Sequence, residues 1–202
     1  MTNPIFSPQP IGPGVSRRRL LGNTGQLVLS AGAVTLLAGC AGNAAMPMSS
    51  NSAENDVAIL NVALGLEHEA IAAYQLGAES KLLDKAVLDV AVLFQGHHKE
   101  HRDALVGTIR KLGGMPVESK MMNEYAMALN AGAIKSQGDI LTLAARLERG
   151  AANAYLGVIP SFKDVELAKV AGRLAADETM HWTALAGALK QNLPAKALSF
   201  AA

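Results

Sequence analysis

The chain has a single cysteine, Cys40, in 202 residues, so no intramolecular disulfide can form. Aromatic residues are scarce at 4%, while Ala and Leu are abundant, a balance that favours helix over sheet. Neither sign of charge dominates, since 18 Lys and Arg stand against 17 Asp and Glu. No basic stripe stands out, which argues against nucleic acid as a partner. The apolar run from Leu27 to Ala38 is too short for a membrane-spanning helix. What remains, with half of the residues hydrophobic and no obvious second domain, is material for one sizeable core.

The first forty residues differ from the rest. Ser16-Arg17-Arg18-Arg19-Leu20-Leu21 precedes the apolar run, and Leu37-Ala38-Gly39-Cys40 closes it. A charged segment, a short apolar segment and small residues at its end form the pattern of an export signal. The arginine stretch resembles a twin-arginine signal, and the last four residues resemble a bacterial lipobox, whose Cys40 would be lipidated. Against this stand a buried structural role for Cys40, an uncleaved anchor, or cleavage without lipid. Residues 1–39 are read as the signal, 40–55 as a flexible tether rich in Asn, Ser, Ala and Gly, 56–192 as the folded domain, and 193–202 as a tail. Without Arg17 to Arg19, the balance of charge turns slightly acidic.

From Asp56 onward the apolar periodicity predicts four helices: Asp56 to Glu79, Leu82 to Leu112, Asp139 to Val158, and Lys163 to Gln191. Asn55 or Asp56 and Gly138-Asp139 are the expected N-terminal caps of the first and third; Gly113-Gly114-Met115-Pro116 and Pro160 end the second and third. Short links make the first two and the last two helices antiparallel neighbours. The long link between the second and third, with a helical turn around Met121 to Leu129, fits a crossover along the length of a bundle.

The two halves repeat. Glu67-His68-Glu69-Ala70-Ile71-Ala72-Ala73-Tyr74 is echoed by Glu148-Arg149-Gly150-Ala151-Ala152-Asn153-Ala154-Tyr155, and each is followed by a helix carrying a distant histidine, His101 or His181. Steps of three and four along the helices give stripes that are apolar except at one depth. There they carry Glu67, then His98 and His101, then Glu148, then Glu178 and His181. A buried, unpaired carboxylate costs several kcal/mol, and neutral imidazoles cannot balance three. A pair of divalent cations can.

These residues resemble the ferritin-like superfamily of di-iron and di-manganese carboxylate proteins, whose site takes a Glu from each of two helices and a Glu-x-x-His pair from each of the other two. Glu67 and Glu148 match the single glutamates, and Glu178-Thr179-Met180-His181 matches one pair in full. The Glu-x-x-Ala-x-x-x-Tyr context of the first helix and the Gly-Met-Pro ending of the second are similar to bacterioferritin-type sequences. The resemblance implies an all-α, antiparallel four-helix bundle and a cofactor of Fe or Mn, dinuclear by preference. The second pair departs from the pattern, because His98 stands where the family has Glu. That departure leaves room for an asymmetric pair, a single Fe, Mn or Zn, or an empty remnant. Tyr74, Tyr155, His97 and Glu100 are candidates for support behind the ligands; His97 and Glu100 also fit solvated positions, and Tyr74 and Tyr155 fit a bundle core equally well.

The functional expectation is an exported, periplasmic lipoprotein whose metal site reacts with dioxygen or peroxide or oxidises ferrous iron. Its partners are metal ions, a membrane through lipidated Cys40, and a second copy in a homodimer. The competing expectation is a non-enzymatic cell-envelope bundle that binds metal structurally or not at all and acts through protein contacts.

Overall fold

A computed structural model describes residues 52–200. The expected signal, Cys40 and the tether up to residue 51 lie outside the described residues. Five α-helices follow: α1 (Ser52–Glu79), α2 (Lys85–Lys111), α3 (Met122–Ala128), α4 (Gln137–Val158) and α5 (Val165–Ala188). No strand occurs among the described residues.

Helices α1 and α2 pack as one hairpin, and α4 and α5 as another. Across the hairpins, Tyr74 of α1 meets Glu148 of α4 while Tyr155 of α4 meets Glu67 of α1, the register of antiparallel helices. Helices α2 and α4 therefore run in the same direction, which only a crossover along the bundle permits. The expected all-α bundle with its long crossover is the fold observed.

Helix boundaries follow the capping chemistry. Asp84 accepts from the Val87 amide, Ser136 from Asp139 and Asp164 from Glu166, so α2, α4 and α5 each start behind a polar cap. Ser136, not Gly138-Asp139, is thus the cap of α4. Asn55 and Asp56 are not caps either: α1 is already helical from Ser52, within the stretch read as tether. Asp56 is buried and accepts from the Lys163 amide, while Asn55 donates to the Ser161 carbonyl, which ties α1 to the α4–α5 link. At the end of α2, Gly113 takes φ +80°, and the amides of Gly113 and Gly114 bond back to Arg110 and Ile109. This left-handed stop suits glycine and closes the last turn.

The crossover is fastened to α1. Asn61 donates to the Met115 carbonyl at 3.0 Å and accepts from the Val117 amide at 2.8 Å, and His68 Nε2 lies 3.2 Å from the Val117 carbonyl. Beyond it, α3 packs Tyr125 and Leu129 onto Ala72 and Ala73. The residues after α5 also return to the bundle: the Arg149 guanidinium lies 5.5 Å from the ring centres of both Trp182 and Phe200 and donates to the Ser199 carbonyl. Besides the cluster that α3 makes on α1, the core has two larger apolar clusters. Leu60, Leu64, Leu105, Ile109 and Leu174 belong to one, and Phe94, Leu141, Trp182 and Leu185 to the other. Between them lies a polar layer.

Candidate metal centre

The polar layer consists of Glu67, His98, His101, Glu148, Glu178 and His181, all buried. Each comes from the apolar stripe of its helix, so burying the stripe forces the six groups together. His98 lies at the centre. Its Nδ1 is 2.8 Å from Glu67 Oε2 and its Nε2 is 3.1 Å from Glu148 Oε1, so one ring joins two helices of opposite hairpins. His101 Nδ1 is 3.2 Å from Glu178 Oε1, and His181 Nδ1 is 3.2 Å from Glu178 Oε2 and 3.4 Å from Glu148 Oε2.

Other side chains hold these groups from behind. The Tyr155 hydroxyl donates to Glu67 and the Tyr74 hydroxyl to Glu148, a reciprocal pair that follows from the sequence repeat. His97 Nδ1 lies 2.9 Å from His181 Nε2, and Asp177 Oδ2 lies 3.3 Å from His101 Nε2. A proton on each outer Nε2 leaves Nδ1 of His101 and His181 facing the carboxylates, the orientation that outer partners impose on metal-binding histidines. Phe94 stacks on His181 with ring centres 4.1 Å apart.

Electrostatics oppose burial throughout the cluster. Burial lowers the pKa of His98, but hydrogen bonds to Glu148 and Glu67 outweigh it and hold the ring at about 11. Burial likewise works against His101, and Glu178 and Glu67 hold it at about 10. His181 is raised by Glu148 and Glu178 against the same penalty. Burial pushes Glu67 and Glu148 up, yet the histidines bring both below the usual carboxylate range. For Glu178, burial prevails and its pKa is raised. Burial and the facing carboxylates raise both tyrosines, so they stay protonated as donors. With no cation bound, protons on the imidazoles balance the carboxylates; a cation entering the cluster must displace them.

Three donor atoms fit such a cation. His101 Nδ1, Glu148 Oε2 and Glu178 Oε1 are fully buried and, beyond their ion-pair contacts within the cluster, make no hydrogen bond. Orphaned buried polar atoms are rare, and three in one cluster of carboxylate and imidazole donors match what Fe, Mn and Zn accept. Two overlapping sets form: Glu67, His98, His101 and Glu178, and His98, Glu148, Glu178 and His181, each with its donor atoms within 4.8 Å of one another.

The structure therefore brings together all six residues expected as ligands, with Tyr74, Tyr155 and His97 directly behind them. Glu100, expected beside them, is exposed on α2. Sequence reasoning missed Asp177 and Phe94 as supports. Phe94 stands four residues before His98 on the same helix face, a usable signal; Asp177 sits beside Glu178 but off that face, with its side chain half exposed.

A family model for the ferritin-like domain matches residues 55–191, and the chain belongs to that family. Among solved structures, it is similar to a conserved hypothetical protein from Mycobacterium tuberculosis, at 19% identity and a TM-score of 0.59, over 73% of this chain and 99% of the other. It is also similar to a ferritin-like, diiron-carboxylate protein from Bacillus anthracis, at 20% identity and a TM-score of 0.54, over 70% of this chain and 99% of the other. No curated protein matches in sequence.

Proposed function

We propose that this chain is an exported, lipid-anchored ferritin-like metalloprotein whose cluster binds two Fe or Mn ions and reacts with dioxygen or peroxide, or oxidises ferrous iron. The observation that carries the metal reading is the set of three buried donor atoms on His101, Glu148 and Glu178 that make ion-pair contacts within the cluster but no hydrogen bond. Glu67 and His101 would hold one cation and Glu148 and His181 the other, with Glu178 and His98 common to both sets. Bound Fe or Mn would supply the redox chemistry. The chain's own groups orient and shield. Tyr74 and Tyr155 aim the carboxylates, Asp177 and His97 hold the outer imidazole protons, and the two apolar clusters exclude water.

Export and anchoring rest on Arg17 to Arg19 and on Leu37-Ala38-Gly39-Cys40. Twin-arginine export carries folded proteins, which would let the metal be loaded before transport. Mass spectrometry of the mature N-terminus checks this: a diacylated Cys40 is expected in wild type, and a soluble periplasmic protein in Cys40→Ala.

The metal reading is tested by metal content on protein purified without a His tag, comparing wild type with Glu148→Ala and His98→Ala. About two Fe or Mn per chain are expected in wild type, with a clear loss in Glu148→Ala, followed by turnover assays with ferrous iron and with peroxide. No bound metal in wild type after anaerobic reconstitution would sink the proposal. A structural, non-enzymatic role is the second reading, and one observation favours it. His98 already joins Glu67 to Glu148 through both ring nitrogens, a link that holds the bundle without a cation.

A further inference from the structure

One end of the bundle holds a cavity of about 370 Å³, lined almost entirely by apolar groups from α1, α2, α4, α5 and the crossover. Its volume falls in the range of small-molecule pockets, about 300–1,000 Å³. Small residues, Ala73, Gly77, Ala91 and Ala144, form part of its wall. Protein interiors are otherwise packed to crystal density, so an opening of this size is a feature in its own right. The exposed residues Ala86, Val90, Ala184 and Ala188 belong to the lining, which places the mouth between α2 and α5.

The inner end is formed by Tyr74 and Phe94. Tyr74 donates to Glu148, and Phe94 stacks on His181, so the same two side chains wall the cavity and touch the metal cluster. From Ala86 to Phe94 the lining follows α2 for about 12 Å at 1.5 Å per residue. The wall thus follows α2 through about two turns, and no charged residue lines the cavity.

We propose that this cavity binds an apolar, chain-like small molecule, an alkyl or isoprenoid chain, with its inner end against Tyr74 and Phe94. Any role for that molecule as the substrate rests on the metal reading above; its binding does not. Two other occupants fit less well. A second copy would meet the rim but has no reason to reach the inner wall. The chain's own Leu27 to Ala38 is joined to α1 through residues 39–51, and α1 begins at the opposite end of the bundle, about 40 Å from the cavity mouth. Those 13 residues would have to be almost fully extended to reach it, since they span at most about 45 Å.

The test uses the full chain and two fluorescent probes, dansylundecanoic acid and retinol, titrated with and without added Fe or Mn. Metal content is measured on the same samples. Saturable binding is expected in the micromolar range, weakened at least tenfold by Ala184→Phe at the rim and by Ala144→Leu deeper in. Ala104→Phe, an exposed substitution away from the cavity, should leave binding unchanged. Failure of both probes to bind, or equal binding to Ala184→Phe and wild type, overturns the proposal even where metal is retained. Probe binding by a chain that holds no metal keeps the cavity assignment and removes only the substrate role.

Discussion

At the scale of single residues, His98 sets this site apart. A glutamate in its place would bring a fourth carboxylate; the imidazole instead satisfies Glu67 and Glu148 at once. Removing it while no cation is bound takes the hydrogen bond from Glu67 Oε2 and leaves Glu148 Oε1 with the Tyr74 hydroxyl as its remaining donor. Breaking one side of a buried pair costs about 3–5 kcal/mol, so His98→Ala should lose stability of that order in urea unfolding with a chelator present. The pH dependence follows from the same bonds. His98 has a folded pKa raised to about 11 from 6.5, and His101 one raised to about 10. A raised histidine contributes stability that is complete below the unfolded value and disappears as pH climbs through the folded value. Chelated wild type should thus weaken steadily between about pH 7 and pH 11, and His98→Ala should show a flatter profile over that window. Parallel profiles would mean that His98 carries no proton in the folded cluster.

At the scale of elements, the crossover hangs on few contacts. Asn61 supplies two of its hydrogen bonds, to the main chain of Met115 and Val117 on either side of Pro116. Each typical hydrogen bond contributes about 0.5–1.5 kcal/mol, so Asn61→Ala should cost about 1–3 kcal/mol. Hydrogen exchange should show the Val117 amide deprotected while metal content stays at the wild-type level. If metal were lost as well, the crossover would be positioning the cluster. The helices themselves were legible in the sequence, because their stripes repeat every three or four residues and glycine or proline closes them. Their starts were less so. Ser136 and Asp164 cap α4 and α5, whereas Asn55 and Asp56 turn their side chains to the α4–α5 link, a choice made by tertiary contact. The six clustered residues were legible because each broke an apolar stripe at the same depth. Asp177 was not, since only the approach of α5 to α2 brings it to His101. The cavity was also hidden: its wall is assembled from residues of separate helices, which no single helix reveals.

At the scale of the whole molecule, the repeat becomes a division of labour between two overlapping sets of candidate metal ligands. Glu67 and His101 belong to one set, Glu148 and His181 to the other, and Glu178 to both. Two cations and one cation therefore make different demands on the same glutamates. If two bind, Glu67→Gln damages one set and leaves about one cation per chain, whereas Glu178→Gln damages both and leaves none. Binding to the folded chain alone raises its stability by about 2.7 kcal/mol per site at free metal 100 times the Kd. Wild type should then gain about 5 kcal/mol on loading, Glu67→Gln about half of that, and Glu178→Gln almost nothing. Thermal unfolding across a metal titration, read beside metal content, separates these cases. Equal loss in Glu67→Gln and Glu178→Gln would mean that a single cation draws on both halves of the cluster, and the sequence repeat would then have given this bundle its symmetry without a matching pair of metals.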